Sequence, residues 1–253
     1  MEPLNRRVRI LNGEFDRLTL HDTVRAVFDL LAAGRRGWVS TVNVTILMAM
    51  RHDRVLQSYV DRSAIVVADG QPLVWCARFL NAPLPERVTG IDLIDALCAR
   101  AAVSDVAVFA LGSTTPLLDR ALATLRSRHP GLRISGLSGH YPKDAAAARV
   151  AAINDSGARL LLVGMGSPRQ ERFIEEHWDA LHVTAAVGVG GSFDVISGAR
   201  VRAPAWLGRL GLEWLVRLAQ EPRRLFPRYL SANSRFCILA LRELAAHARE
   251  SRR

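Results

Sequence analysis

The stretch LLLVGMGSPRQERFI, residues Leu160 to Ile174, contains a pattern that indicates the fold class of this chain. An apolar run leads into Gly164-Met-Gly166, and a helical pattern begins at Arg169. A buried strand, a glycine-containing loop and a helix in this order form part of a β-α-β unit, which packs only in a parallel sheet. A loop of this kind can also cradle a phosphate group.

The same pattern recurs along most of the chain. Short and nearly all-apolar strands, alternating with helical periodicity, are typical of a parallel sheet that helices cover on both faces. The predicted strands are Trp38–Asn43, Ala64–Ala68, Val106–Leu111, Leu132–Leu137, Leu160–Val163 and Val183–Val189. The predicted helices are His21–Ala33, Val44–Val60, Gln71–Phe79, Leu93–Ala102, Pro116–Arg128, Lys143–Asn154 and Arg169–His177. We predict an α/β fold with a Rossmann-like, mainly parallel sheet flanked by helices.

The chain changes character after Gly198. Helices are predicted at Ala205–Gln220, Pro222–Leu230 and Ala232–Arg249, with no further strand pattern. From residue 200 onward there are twelve Arg and four Glu, so 12 − 4 = +8 of the net charge of +10 lies in this part. We divide the chain into a Rossmann-like domain, 1–198, and a basic helical appendage, 199–253. Its charge predicts an anionic partner, which is a phosphate ligand, an anionic lipid or a nucleic acid.

Bulk composition limits the class of protein. The 253 residues are 49% hydrophobic and 23% charged, which is globular composition with enough material for a sizeable core. The three cysteines form no C-x-x-C pair, so neither a disulfide framework nor a zinc ribbon is predicted, and a reducing cytosol fits. The first twenty residues lack the apolar core of a signal peptide, and no apolar run approaches the ~18 residues of a membrane span. We expect a cytoplasmic protein, soluble or peripheral on a membrane.

Polar or glycine-containing loops follow five of the predicted strands. In a parallel sheet such loops meet at one edge, where ligands bind, although each glycine can also mark a simple tight turn. The candidate binding residues in these loops are Thr41, Asn43, Gly112, Gly164, Gly166, Gln170, Glu171, Gly190 and Asp194.

Several common chemistries lack their motifs. The loop after Leu160–Val163 has Arg169 where the dinucleotide fingerprint G-x-G-x-x-G needs its third glycine, so a nicotinamide oxidoreductase is only a distant alternative. The P-loop ending G-K-[ST] and the G-x-S-x-G elbow of serine hydrolases are also missing. No H-x-x-x-H, H-E-x-x-H or D-x-D occurs, so no metal site is predicted.

Three charged residues in loops are candidates for chemistry. Asp69 follows Ile65–Ala68, where a partly buried carboxylate can accept a proton from an attacking hydroxyl group; the alternative is an Asp-Gly turn or a helix cap. Arg87 can orient a phosphate or neutralise a carboxylate, or can be a solvated surface arginine. Asp194 can bind a sugar or ribose hydroxyl group, or cap the next segment.

The appendage has its own periodicity. Arg228, Arg235, Arg242 and Arg249 are seven residues apart and fall on one stripe of a helix. The stripe predicts a helix that lies on anionic lipid, and the alternative is the solvated face of a helix packed on the domain. A nucleic-acid-binding protein that uses the stripe on phosphates is the main rival function, but it leaves the polar strand-end loops without a role.

Seven sequence blocks together match a known family. They are TVNVTIL, VVADGQPLVW, ERVTGIDL, VFALGS, GMGSPRQE, VGVGGSFDVISG and GLEWLVRLAQEPRRL, and they span nearly the whole chain. The patterns G-x-G-x-P-x-Q-E, G-x-G-x-x-F-D and E-W-x-x-R-x-x-x-E-P are specific. On these blocks the chain resembles the WecG/TagA/CpsF family of glycosyltransferases.

The resemblance implies an inverting transferase, and the missing metal-binding motifs lead us to expect that it works without a metal ion. It would move N-acetylmannosamine, its uronic acid or glucose from a UDP-sugar to a polyprenyl-pyrophosphate-linked sugar during cell-surface polysaccharide assembly, at the cytoplasmic face of the membrane. The donor is a substrate, and no cofactor or nucleic-acid partner is implied. In the family pattern Asp69 is the general base, and the pocket includes Thr41, Arg87, Gln170 and Asp194.

The resemblance also assigns a role to the appendage. In the family it docks over the pocket and supplies arginines to the donor diphosphate, and Arg217 and Arg224 match those positions. Phe226 and Pro227 stand where the family commonly has further basic residues, so a third arginine is not assigned. A homo-oligomer is possible, because appendage and domain can complete a site within one chain or between two.

Overall fold

The computed structural model describes residues 7–250, except for the side chains of residues 143, 205, 209, 224, 228, 248 and 250. It contains the predicted α/β architecture. Six strands form one sheet in the order β4-β3-β8-β7-β5-β6, and every neighbouring pair is parallel. The strands are β3 (Gly37–Val42), β4 (Ile65–Ala68), β5 (Val108–Gly112), β6 (Ile134–Leu137), β7 (Leu160–Gly164) and β8 (Ala185–Gly188). All six predicted strands are confirmed.

A short antiparallel hairpin precedes the sheet and was not predicted. It pairs β1 (Val8–Ile10) with β2 (Gly13–Phe15). Each strand has three residues, which is too short for a periodic signal in the sequence. The hairpin forms because Val8, Ile10 and Phe15 are buried against the core.

Helices cover both faces of the sheet. They are α1 (Leu20–Ala33), α2 (Val44–Met50), α3 (Arg54–Asp61), α4 (Gln71–Phe79), α5 (Gly90–Val103), α6 (Thr115–Arg128), α7 (Ala146–Asp155), α8 (Arg169–His177) and α9 (Ser192–Ile196), followed by α10 (Ala205–Arg209), α11 (Glu213–Gln220) and α12 (Pro222–Glu250). A single 3-10 turn, Lys143–Ala145, leads into α7. The alternation of strand side chains divides the core: Trp38 and Val42 of β3 face one cluster, and Val39 faces the other.

The predicted helix Val44–Val60 is wrong in one respect, because the structure breaks it into α2 and α3. The carboxylate of Asp53 accepts the N–H groups of Val55 and Leu56, both at 3.1 Å, and so starts a new helix. An aspartate at a helix start satisfies amides that have no intrahelical partner. Apolar periodicity continues across the break and hides it from the sequence pattern.

The helices of the appendage also differ from the prediction. The segment Ala205–Gln220 is two helices, separated at Gly211, whose φ of +66° ends the first of them. The segments Pro222–Leu230 and Ala232–Arg249 are instead one 29-residue helix with Pro227 inside it. Burial explains the continuity of this helix. Its residues Ala232, Phe236 and Ala240 pack in a core cluster of the domain, and this packing outweighs the backbone hydrogen bond that proline cannot make.

Helix α12 therefore belongs to the packed structure and crosses α2. Ala232, Phe236 and Ala240 are members of the same hydrophobic cluster as Trp38 and Leu47. A second tie is polar, since the backbone N–H of Leu11 donates to the Glu243 carboxylate at 3.1 Å. Residues of α12 therefore form one wall of the space at the carboxyl ends of the strands, where the predicted site residues lie.

Candidate active site

A polar crevice lies at the carboxyl ends of the strands, between their loops and the appendage. Because all six strands are parallel, the loops that follow them meet at this edge. The crevice has a volume of about 310 Å³. Of the residues predicted from sequence, it is lined by Thr41, Asn43, Asp69, Gly164, Gly166, Gln170, Gly190, Asp194 and Arg217.

The glycines of the crevice do two different things. A Cβ on Gly112 would lie 2.5 Å from the Gly164 carbonyl oxygen, and one on Gly164 would lie 2.5 Å from the Phe193 ring, so these two glycines allow close packing at the strand ends. Gly166 and Gly190 have φ of +76° and +58° and face open space. Only the latter pair leaves backbone exposed to a ligand in the crevice.

Gln170 and Glu171 form a buried support below the loop after β8. The Gln170 carbonyl oxygen accepts the N–H of Gly190, and its amide donates to Glu171, both at 2.9 Å. Their exposures are 3% and 5%. The two side chains therefore fix the position of the Gly190 loop, and Glu171 lines a small cavity behind the crevice, beside Tyr59.

The first strand contributes two further predicted residues. The hydroxyl group of Thr41 donates to the Gly188 carbonyl oxygen at 2.9 Å and joins β3 to β8 at the crevice. The Asn43 side chain accepts the N–H of Ile46 at 3.0 Å, so it caps α2 and faces the crevice from that helix start.

Asp194 sits in a chain of polar contacts that reaches the appendage. It accepts the Ser113 hydroxyl group at 2.6 Å and pairs with Arg200 at 3.2 Å. Arg200 also pairs with Glu221 at 2.5 Å. This chain connects the loop after β5, helix α9 and the start of α12 around the polar end of the crevice.

Asp69 follows β4 and is partly buried at the other end of the crevice. Its backbone N–H donates to the Val42 carbonyl oxygen at 2.8 Å, which holds it beside β3. Removal from water raises the pKa of its carboxyl group to about 6. The charge of Arg217 lowers this pKa and the charge of Glu213 raises it. Arg87 lowers it and Asp92 raises it by smaller amounts. A carboxylate with this pKa is suited to accept a proton near neutral pH.

Arg87 lies where the appendage meets the domain. Its guanidinium group donates to Glu213 at 2.5 Å, and the second oxygen of Glu213 faces Arg217 at 3.7 Å. A Cβ on Gly208 would lie 2.4 Å from the Arg87 guanidinium group, so α10 packs directly on it. Gly211 packs against the ring of Trp75 in the same way. Arg224 lies on α12, and its side chain is outside the described residues.

A second cavity, of about 540 Å³, adjoins the crevice at Asp69. Its walls are mainly apolar and come from α4 on one side and from α10, α11 and α12 on the other. Residues that line both cavities are Asn43, Thr45, Asp69, Glu213, Arg217 and Tyr229. Arg87 lines this second cavity.

Sequence reasoning missed several residues of the site. Arg169, Arg200, Arg202 and Glu213 line the crevice and were not proposed as site residues. Glu213 stands inside the block GLEWLVRLAQEPRRL, so the motif contained the residue but did not indicate its partner. Its pairing with Arg87 joins positions 126 residues apart, which periodicity does not report.

The four arginines of the predicted stripe lie on one helix, α12, although the sequence pattern had divided this segment into two helices. Arg235, Arg242 and Arg249 are exposed on α12, while the side chain of Arg228 is outside the described residues. In the part of the chain that the structure describes, no three His, Cys, Asp or Glu side chains group as metal ligands. Within the same residues, no helix is both long and apolar enough to cross a bilayer.

A parallel α/β sheet with a partly buried carboxylate and arginines around a strand-end crevice is an arrangement suited to a group-transfer enzyme. The profile of the "Glycosyl transferase WecG/TagA/CpsF family" matches residues 8–250, and the chain belongs to this family. It is thus a glycosyltransferase. It is 32% identical to the N-acetylglucosaminyldiphosphoundecaprenol N-acetyl-beta-D-mannosaminyltransferase of Bacillus subtilis (strain 168), over 81% of this chain and 79% of that protein. A protein of the same name from Staphylococcus aureus (strain MW2) is 30% identical over 87% of each chain.

The raised pKa of Asp69 predicts a cost in stability. Above pH 6 the Asp69 carboxyl group is charged in both states, and its charge is more stable in the unfolded chain, where water surrounds it. Near pH 4 the carboxyl group is neutral in the folded protein, so this cost is small. Asp69→Asn is therefore expected to raise the free energy of unfolding by about 2 kcal/mol at pH 8 and to change it little at pH 4. Urea unfolding of both proteins at the two pH values measures this, with Asp119→Asn, at an exposed position on α6, as the control. An equal effect of Asp69→Asn at both pH values would contradict the raised pKa.

Proposed function

We propose that this protein transfers N-acetylmannosamine from its UDP-activated form to N-acetylglucosaminyl diphosphoundecaprenol, with inversion at the anomeric carbon, in assembly of a cell-surface polymer. The sugar and the acceptor are those named for the two relatives. The observation that supports the proposal most directly is the place of Asp69. It stands at the junction of a polar crevice, suited to a nucleotide sugar, and an apolar cavity, suited to a lipid-linked acceptor.

The donor fits the polar crevice by its chemistry. Exposed backbone at Gly166 offers an N–H group, Gly190 leaves open space on the opposite loop, and Arg169 and Arg217 line the same crevice. Amide groups and guanidinium groups are the usual partners of a diphosphate. Asp194 lines the crevice and is a candidate acceptor for a hydroxyl group of the donor.

The reaction needs one displacement. The acceptor hydroxyl oxygen attacks the anomeric carbon, the bond from that carbon to the β-phosphate oxygen breaks, and Asp69 takes the proton of the hydroxyl group. Negative charge that develops on the departing UDP is then stabilised by Arg217 and by backbone N–H groups, with no metal ion in the step. Direct attack from the opposite side inverts the anomeric configuration.

The acceptor lipid fits the second cavity. Trp75, Trp214 and Phe236 line it, and Phe79 and Leu241, each 66% exposed, also lie on its wall. Such a surface is unfavourable in water and favourable against isoprene units. A lipid that enters here brings its sugar toward Asp69.

The appendage also offers a surface for the bilayer. Of twelve exposed large hydrophobic residues in the described part of the chain, eight lie beyond residue 200. Leu215 and Phe226 are among them, next to Arg223. Apolar side chains beside arginines match the interface of an anionic membrane, and we propose peripheral attachment at its cytoplasmic face.

Replacement of the proposed base tests the reaction. Asp69→Asn is expected to lower kcat by about 10² to 10⁴-fold, because general-base catalysis is lost, with the Kd for UDP within a few-fold of the original value. The assay follows product by mass spectrometry with a panel of UDP-sugars and a short polyprenyl-pyrophosphate-linked N-acetylglucosamine. Asp119→Asn is the control, and turnover by Asp69→Asn equal to that control would remove the assignment.

Removal of divalent ions tests the arginine account. EDTA treatment followed by gel filtration is expected to leave the rate of transfer unchanged, because guanidinium groups neutralise the leaving phosphate. Complete loss of transfer that Mg²⁺ restores would contradict this account.

Replacement of the apolar residues beside Arg223 tests membrane attachment. The double variant Leu215→Ser/Phe226→Ser is expected to sediment several-fold less with vesicles that contain phosphatidylglycerol, because it loses apolar area at the interface. Val103→Ser, which is 79% exposed on the domain, is the matched control. If both proteins sediment equally, this face of the appendage does not contact the bilayer.

A further inference from the structure

Asp69 must act as a base although two arginines lie near it. Two guanidinium groups act on it, those of Arg87 and Arg217. An arginine beside a carboxylate forms an ion pair with it, and the carboxylate is then a weak base. None of the ion pairs among the described residues involves Asp69.

Another carboxylate holds these arginines. One oxygen of Glu213 pairs with Arg87 at 2.5 Å, and the other faces Arg217 at 3.7 Å. The side chains of Glu213 and Arg87 are each 21% exposed, so solvent screens this pair only in part. Glu213 lines both cavities next to Asp69.

The charge of Asp92, another carboxylate that acts on Asp69, is neutralised by an arginine. Asp92 pairs with Arg202 through both of its oxygens, at 2.6 and 2.7 Å. Arg202 comes from the appendage, as Glu213 does. Both carboxylates that act on Asp69 thus have an arginine partner, Arg87 for Glu213 and Arg202 for Asp92. Tyr229 of α12 adds a phenol group to the same junction. Glu213 is therefore the group that balances Arg87.

We propose that Glu213 is a positioning residue of the transferase: it holds Arg87 and Arg217 away from Asp69 and so keeps that carboxylate free to act as a base. The inference rests on the proposed function for its catalytic meaning. The contacts also give the appendage a part in this arrangement, since Glu213 and Arg217 lie one turn apart on α11 and both line the cavities beside Asp69.

Loss of the Glu213 charge has a specific consequence. Two guanidinium groups would then face one carboxylate, and one of them would pair with Asp69 and lower its pKa below the value of about 6. The variant base would stay ionised to lower pH but would accept a proton less readily. The pH dependence of the rate would change, and its maximum would fall.

The test is the pH profile of kcat/KM for Glu213→Gln, which keeps the size of the side chain. The acidic limb is expected to lie near pH 6 in the original protein and about one unit lower in the variant. Activity of the variant relative to the original should therefore rise as pH falls from 8 to 5. A purely structural defect would lower activity by one factor at every pH.

Glu221→Gln is the matched control. Glu221 also lies in the appendage, lines the same crevice and pairs with an arginine, Arg200, but it is not among the groups with the largest effects on the pKa of Asp69. Its acidic limb is expected to coincide with that of the original protein. Coincident limbs for Glu213→Gln and the original protein would overturn the proposal.

A second measurement separates this inference from the proposed function. Carbon-13 NMR of the Asp69 carboxyl group, assigned with Asp69→Asn, follows its titration without any substrate. A lower midpoint in Glu213→Gln supports the role of Glu213, and an unchanged midpoint overturns it, whether or not transfer is observed. Absence of transfer by the original protein at every pH would count against the proposed function alone.

Discussion

The contact between Arg87 and the appendage is the interaction on which the rest of the site depends. The guanidinium group is covered by Gly208 and paired with Glu213, so one side chain of the domain receives both α10 and α11. Docking at this point encloses the polar crevice on one side and the apolar cavity on the other. Without it, Asp69 would be an exposed carboxylate at the edge of a sheet, with no reason for a raised pKa.

Burial of charge at this junction is a compromise between stability and chemistry. A carboxylate taken from water is destabilising, and the arginines that would stabilise it would also make it a poor base. The structure resolves the conflict with separate ion pairs for its neighbours, Arg87 with Glu213 and Arg202 with Asp92. Because half of each pair belongs to the appendage, the electrostatics of the base depend on tertiary docking and not on the sheet alone.

Prediction from sequence succeeded where burial in the folded protein leaves a local pattern in the sequence. Strands buried on both faces must be apolar throughout, so β7 and its neighbours were recognised and their loops were placed at one edge. It failed where long-range burial overrides a local signal. Pro227 favours a break, and two helices were predicted here, but Phe236 and its buried neighbours hold α12 as one helix. The cap at Asp53 had the opposite effect and divided a continuous apolar pattern.

The strand pattern and the motifs were sufficient to predict the sheet, the order of its loops, the family and the residues that gather at the carboxyl edge, including Asp69 and Arg217. Each of these follows from spacing within a few dozen residues or from motifs of a few letters. The interactions among those residues became visible in the three-dimensional structure. It buried Gln170 as a support for the Gly190 loop, divided the site into two cavities, and paired Glu213 with Arg87. The physical reason is that charge interactions and desolvation depend on distances of a few ångströms between groups far apart in the chain, which periodicity does not encode.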